Sequence, residues 1–545
     1  MTDRLAELLP YPRAVLPRPG RFALGPDTVI VSGPSAGADA ATEAVRRLLG
    51  GLPWPARDPA IAGGILVDTD PALGAEEYRL LISPDGVRIT AGGPAGAFYA
   101  AQTIRQLLPD DAWRAAPLPA AAPWSIPCAE IEDGPALPWR GAHLDVARHF
   151  FPKPVLLRFI DMLAAHKLNR LHLHLTDDQG WRIESERYPA LQTIGAVRPG
   201  TQIGNDRQAH DHRPHGGYYP LADLAEINAY AARRMVTVVP ELEVPGHARG
   251  LLAALPELAA APGTRELTVA TQWGVFPHIM SPLPATMDVL TDLFGELLGA
   301  IPAGFVHIGG DECVLTDWAA DPRIIERRDQ LGLHTMEALH AHFLRQVADM
   351  LAARFGARAV VWDEGFTSSG SAAAGAGGAG GGGGAGLRPD TVVMAWHGME
   401  VARKAAEAGY DVIAAPQVPT YFDWGQAEDD REPLSIGGVI TAEDVGAFRP
   451  VPSDWPAAAA AHLLGAQFQL WTEYIPDTRI LDYKTHPRAG AFADVAWSGA
   501  PAPWTAPGGR PALRPRIEAD LARLAAAGIE FRPLAGPRPW QQSAP

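Results

Sequence analysis

The chain has 545 residues, more than one ordinary hydrophobic core holds, so two domains or one large barrel with an extra domain are expected. Hydrophobic residues make up 47% and charged residues 20%, the proportions of a globular protein and not of a disordered one. The net charge of −16 argues against nucleic acid or an anionic membrane as partner, and two cysteines, Cys128 and Cys313, are too few for a disulfide scaffold.

The first residues, from Met1 to Glu7, hold no basic stretch followed by an apolar one, and no run of about 18 apolar residues occurs anywhere. A cytoplasmic location is therefore expected. Residues 1–127 read as a separate α+β unit. Strands are expected at Thr28–Val31, Gly64–Val67, Tyr78–Ser83 and Gly86–Thr90, the last two joined by Pro84-Asp85 with Gly86 next, a hairpin signal. Helices are expected at Ala38–Leu49 and Gly96–Leu108. A Pro/Ala-rich linker should follow from Ala116 to about Pro127.

From Trp139 the pattern becomes strand, then helix, repeated. Strands are expected at Gly141–Val146, Arg170–Leu175, Thr237–Pro240, Phe305–Ile308, Ala359–Trp362, Thr391–Trp396, Asp411–Ala415 and Leu464–Trp471. Between them, Val155–His166 and Thr335–Ala353 carry apolar residues at helical spacing. Eight such units over residues 128–545 predict an α/β fold, a (β/α)8 TIM barrel preceded by the small α+β domain. A doubly wound sheet is the structural runner-up, but the first strand is not followed by a Gly-rich nucleotide loop. The last helix is expected at Pro515–Ala527, closed by Gly528. The Gly/Ala/Ser segment Ser368–Gly386 should be a flexible surface loop without chemistry of its own.

In such a barrel the chemistry sits where the strands end. The fourth strand runs into His307-Ile308-Gly309-Gly310-Asp311-Glu312. Two glycines let the backbone turn sharply, and two adjacent acids raise the proton affinity of at least one, as a general acid requires. The other strand ends supply Asp145 and Arg148, then His172 to Arg182, then Glu241, Glu243 and His247, then Trp362-Asp363-Glu364, Trp396-His397, Tyr421 and Asp423, and Trp471-Thr472-Glu473. Carboxylates and Arg bond sugar hydroxyls, and aromatic faces stack on sugar rings. The cup therefore suits a carbohydrate, and neither a metal nor a cofactor is needed to explain it.

The segments Leu144–Phe150, His172–Arg182, Pro240–His247, His307–Glu312 and Leu470–Glu473 resemble the β-N-acetylhexosaminidases of glycoside hydrolase family 20. The likeness runs in order from about Ile131, and the N-terminal unit resembles the small domain that precedes the barrel there. The resemblance implies exo-acting removal of terminal β-linked N-acetylglucosamine or N-acetylgalactosamine from an oligosaccharide. It also implies retaining hydrolysis in which the substrate's own 2-acetamido oxygen is the nucleophile. Consecutive residues of an extended chain face opposite sides, so Asp311 and Glu312 are not expected to flank the bond as a nucleophile–acid pair.

By resemblance, Glu312 is the general acid and base, Asp311 orients the acetamido N–H and Tyr421 donates to the acetamido oxygen. Trp362, Trp396 and Trp471 would enclose the methyl. Arg148, Asp423 and Glu473 would hold ring hydroxyls, and Asp177 with His247 would tune the acid, while Asp178 reads as structural. Trp424 competes as a sugar-stacking ring. His143, His149, His172 and His174 read as packing, and Cys313 as a small buried residue. Two other readings stand beside this one. His172-x-His174 with His247 and Asp311 suits a metal-dependent amidohydrolase on the same barrel, and a sugar-binding homologue without catalysis would keep the same cup.

Overall fold

The computed structural model describes residues 4–54, 63–118, 124–261, 267–368, 386–505 and 510–542. The N-terminal unit is a six-stranded mixed sheet in the order β1-β6-β4-β5-β3-β2. Its strands are β1 (Ala14–Leu24), β2 (Val29–Ser32), β3 (Gly64–Thr69), β4 (Tyr78–Ser83), β5 (Gly86–Ala91) and β6 (Trp124–Asp133). The expected hairpin is present, with Ser83 paired to Gly86. Helices α1 (Ala38–Leu49) and α2 (Pro94–Leu107) are present within two residues of expectation and bury Ala41, Val45, Leu49, Phe98 and Ile104 in the domain's core.

Two strands differ from the sequence reading. β1 contains Pro17, Pro19 and Gly20, residues that depress strand propensity, and its register against β6 shifts between Pro17 and Arg21. It is an edge strand, where the missing proline N–H costs no ladder bond. β6 runs through the end of the expected Ala116–Pro127 linker and past residue 127, so the N-terminal sheet extends to Asp133.

The second unit is a closed, all-parallel barrel. Its strands are β7 (Trp139–Asp145), β8 (Arg170–His174), β9 (Thr237–Glu241), β10 (Phe305–His307), β11 (Arg358–Trp362), β12 (Val392–Ala395), β13 (Asp411–Ala414) and β14 (Leu463–Phe468). All eight expected strands are found, five of them one or two residues shorter and three one residue longer. Trp139, Val239, Val360, Val392 and Ile413 fill the barrel interior as one apolar cluster. The helix after β10 runs Met336–Phe355, capped by the Thr335 side chain, and the last helix runs Leu513–Ala526 with Gly528 at φ +71°. Of the Gly-rich stretch Ser368–Gly386, residues 369–385 lie outside the described residues. No described helix is long and apolar enough to cross a membrane.

The two units meet through buried charge. Lys167, in the turn before β8, donates to Asp133 Oδ2 (2.8 Å) and Tyr78 Oη (2.9 Å), and Trp497 Nε1 donates to Asp133 Oδ1 (2.7 Å). Arg140 Nη2 donates to Glu76 Oε1 at 2.7 Å. Asn169, Arg140 and Lys167 all belong to the N-terminal ends of barrel strands or the turns before them. The small domain thus docks on the bottom of the barrel and leaves the C-terminal mouth open.

Candidate active site

The turn after β10 decides where the two acids point. Gly309 (φ +65°) and Gly310 (φ +94°) are left-handed, and so is Glu312 (φ +48°). A Cβ on Gly309 would lie 1.5 Å from Glu243 Oε2, so only glycine fits there. The chain is curled here and not extended, which corrects the expectation of opposite faces: Asp311 and Glu312 line the same cavity. The left-handed conformation at Glu312 costs energy that a solvated loop would shed, and such strain gathers at functional turns.

That cavity, of about 380 Å³, opens at the C-terminal ends of the strands. Every residue named from the sequence as catalytic or substrate-binding lines it: Arg148, Asp177, His247, Asp311, Glu312, Trp362, Trp396, Tyr421, Asp423, Trp471 and Glu473. Glu243, Gln417, Trp424, Ile436 and Gly437 line it too. His172 and His174 do not. They sit lower in the barrel, against Glu241 and Asp177, so a metal site shared with His247 and Asp311 does not form.

The wall on one side is aromatic. Trp362 and Trp471 lie 5.9 Å apart, Tyr421 lies 6.4 Å from Trp471, and Trp396 stacks on Tyr421 at 6.4 Å. Trp396 Nε1 donates to Glu364 Oε2 at 2.8 Å, which fixes its ring plane. Glu364 is pushed up to about 9 by burial and by the Asp311 charge, so it stays neutral at pH 7. Burial raises the Tyr421 phenol well above its usual range and keeps it a donor.

The rest of the lining is charged. Arg148 Nε donates to Gln179 Oε1 at 3.0 Å, its Nη2 lies 2.8 Å from Asp177 Oδ2, and its guanidinium sits 5.0 Å over Trp471. Among the described residues, Asp311 Oδ1, Asp423 Oδ1 and Glu473 Oε2 are buried without a hydrogen-bond partner. Buried acceptors of this kind cost energy until a ligand supplies donors, as sugar hydroxyls and an amide N–H do. Burial, then the Glu473 charge, pushes Asp423 up to about 8, and burial raises Glu473 as well.

His247 joins the acids. Its Nε2 lies 3.3 Å from Glu312 Oε2 and 3.8 Å from Asp311 Oδ2, and its Nδ1 lies 3.3 Å from Asp177 and 3.2 Å from Asp178. Asp178 therefore faces the same ring as Asp177 and also accepts from the Arg249 backbone N–H, a larger part than the structural one read from sequence. The ion contact with His247 lowers Glu312, whereas burial, then the Glu312 charge, lifts Asp311 to about 6. One of the neighbouring acids does hold its proton more firmly, as their adjacency requires, but it is Asp311 and not the expected general acid. Cys313 is half-buried and donates to the Asp311 carbonyl (3.2 Å). Its thiol is raised well above 9 by burial, so it supplies no thiolate.

Sequence reasoning missed the support of Tyr421 and Asp423. Lys484 Nζ donates to the carbonyls of Asp423 (3.0 Å) and Trp424 (3.3 Å), and Arg488 Nη2 donates to the carbonyl of Phe422. Both side chains are fully buried. They follow the last barrel strand, outside any strand end, on two successive helices parted by His486-Pro487, and nothing in the local sequence marks them.

The description "Glycosyl hydrolase family 20, catalytic domain" matches residues 137–500, and "Glycosyl hydrolase family 20, domain 2" matches residues 6–134. The chain belongs to glycosyl hydrolase family 20. A beta-hexosaminidase of Akkermansia muciniphila is 33% identical over 435 residues, covering 78% of this chain and 80% of that protein. A beta-hexosaminidase of Porphyromonas gingivalis is 35% identical over 434 residues, and there the chain spans about half (52%) of the relative's length. Among solved structures, the Streptomyces plicatus N-acetyl-beta-hexosaminidase in complex with Thio-NAglucal superposes with TM-score 0.77 at 31% identity, covering 98% of each chain. The barrel is thus a β-N-acetylhexosaminidase catalytic domain, and family 20 membership sets aside both the amidohydrolase reading and a fold of the doubly wound kind.

Proposed function

We propose that the chain removes terminal β-linked N-acetylhexosamine from an oligosaccharide with retention of configuration, the substrate's 2-acetamido group acting as nucleophile. The observation that carries this reading is the placement of Asp311: its unpartnered Oδ1 lies in a cavity walled by Trp362, Trp396, Trp471 and Tyr421. An apolar aromatic recess beside a buried carboxylate accepts an acetamido methyl and binds its N–H. The Vibrio harveyi exo-enzyme of the family, 28% identical with TM-score 0.79, was solved in complex with N-acetylglucosamine, which supports the same choice of sugar.

In this mechanism Asp311 takes the acetamido N–H and Tyr421 donates to the acetamido oxygen, which aligns that oxygen with the anomeric carbon. Glu312 delivers a proton to the leaving oxygen as the C–O bond breaks. A cyclic oxazolinium ion forms, and the buried Asp311 stabilises its charge at short range. Glu312, now ionised, takes a proton from water as it opens the ring. Carrying the nucleophile on the sugar supplies proximity at little entropic cost.

The test compares an aryl N-acetyl-β-glucosaminide with the matching aryl β-glucoside. The first should be cleaved and the second should not, and a thiazoline mimic of the cyclised intermediate should bind far more tightly than substrate. Equal turnover of the two glycosides would end the proposal.

A further inference from the structure

Beneath the cavity the barrel's upper layer is ionic. Strand register aligns Asp145, His174, Glu241 and His307 on four neighbouring strands. Glu241 is fully buried and meets three rings: His307 Nδ1 lies 2.5 Å from Oε1, His172 Nε2 lies 3.0 Å from Oε2, and His174 Nδ1 contacts Oε2. The other nitrogen of His174, Nε2, lies 2.9 Å from Asp177 Oδ2.

A ring flanked by carboxylates at both nitrogens needs a proton on each, so His174 is an imidazolium. His172 is not: its Nδ1 takes a hydrogen bond from Gln467 Nε2 at 3.0 Å, which leaves its one proton on Nε2, toward Glu241. Burial works against charge on both rings. It prevails at His172, which falls to about 4, whereas Glu241 and Asp177 outweigh it at His174 and lift that ring to about 10. The other groups facing His174 are Glu243 Oε1 at 3.9 Å, the Asp145 carboxylate, and the rings of His143 and Trp471.

The same proton count applies one step higher. His247 lies between Asp177 and Glu312, so in the free enzyme it holds protons on both nitrogens and Glu312 is ionised. An ionised Glu312 cannot protonate a leaving group. For the acid step the His247 Nε2–H bond breaks and a Glu312 Oε2–H bond forms, and the ring keeps its Nδ1 proton toward Asp177 and Asp178. The cost of that transfer depends on how firmly Asp177 stabilises the positive ring. Asp177 also faces two other cations, the Arg148 guanidinium and His174, and each weakens its hold on His247.

We propose that Glu241 is a positioning residue for acid catalysis: by holding His174 as an imidazolium against Asp177, it makes transfer of the His247 proton to Glu312 inexpensive. The chain Glu241–His174–Asp177–His247–Glu312 alternates in sign from the barrel interior to the scissile bond. Its lower two members act only through Asp177.

This rests on the glycosidase reading, and the experiment separates the two. kcat/KM is measured for the unaltered enzyme, Glu241→Gln and His174→Gln on two substrates. One is N,N′-diacetylchitobiose, whose sugar leaving group needs a proton. The other is a 2,4-dinitrophenyl N-acetyl-β-glucosaminide, whose leaving group departs unprotonated. Glutamine at 241 matches the glutamate in shape, and glutamine at 174 keeps an amide donor within reach of Asp177, so each variant removes charge more than packing. Both variants should lose at least about tenfold more activity on the disaccharide than on the dinitrophenyl glycoside, a fraction of the ~10²–10⁴ that general acid catalysis supplies. A fall by the same factor on both substrates, or no fall, would overturn the inference. Should Glu241→Gln not fold, His174→Gln decides by the same ratio. If the unaltered enzyme cleaved neither substrate, the activity would be refuted and the inference with it.

Discussion

His247 Nε2 faces Glu312 Oε2 at 3.3 Å, while the same imidazole has Asp177 and Asp178 behind it. Burial opposes charge on this ring, but the acids outweigh burial and hold it well above the usual histidine range. The carboxyl proposed as the acid therefore waits ionised beside a proton donor, in a turn that glycines and a left-handed Glu312 bring to the cavity wall.

Replacing Glu312 by glutamine should lower kcat/KM on a disaccharide by about 10²–10⁴, the range for a lost general acid. An aryl glycoside with a strongly acidic phenol should suffer least in its first step. Added azide should rescue breakdown of the intermediate, giving a β-glycosyl azide, because the ring-opening base is also missing. Steady-state kinetics and product NMR check both, and unchanged rates in this variant would remove Glu312 from the mechanism.

Asp311 should set the acid limb of the pH profile. Its proton must be off for it to accept the acetamido N–H, and its native pKa is pushed up to about 6. kcat/KM should thus fall as pH drops through about 6. The stability sign is opposite. A carboxyl whose folded pKa exceeds the unfolded one, near 3.9, makes the fold less stable as pH rises from about 4 through 6. Asp311→Asn should be nearly inactive yet at least as stable as the parent at pH 8, by up to about 3 kcal/mol. Thermal unfolding at pH 4.5 and pH 8 measures this, and a loss of stability at pH 8 would contradict it.

Tyr421→Phe removes one preorganised donor without changing the ring stack on Trp396. The loss should appear in kcat, by about 10²–10³, as for other single donors aimed at developing charge. Trp471 loses a hydrogen-bond partner in this variant, but its ring stays packed against Trp362 and Arg148, so the melting temperature should move little.

Lys484→Met leaves the carbonyls of Asp423 and Trp424 without their buried donor. Destabilisation of about 2–5 kcal/mol is expected, together with a higher KM, since Asp423 is carried on that loop. Denaturant unfolding paired with Michaelis kinetics would show the two effects together. A variant as stable as the parent would mean the loop holds itself.

Much of the barrel could be read along the chain because its parallel strands are buried on both sides and appear as short apolar runs between amphipathic helices. The edge strand β1 could not, since Pro17 and Pro19 argue against a strand and only the neighbouring β6 makes it one. The extent of β6 past residue 127 is illegible for a similar reason: it follows directly on the Pro/Ala-rich residues 116–123 and becomes a strand only where β1 and β4 pair with it.

Residue type and order determined which side chains line the cavity, because each stands at or after the end of a strand and a closed parallel barrel gathers all such positions at one mouth. Tertiary structure alone decided their states of charge. Asp311 and Glu312 are neighbours in sequence with nearly equal intrinsic acidity, yet one is raised and the other lowered. The difference is set by burial and by a histidine 65 residues away from Glu312 in the chain, and electrostatic energies depend on distance and solvent access in space, which no local stretch of sequence encodes.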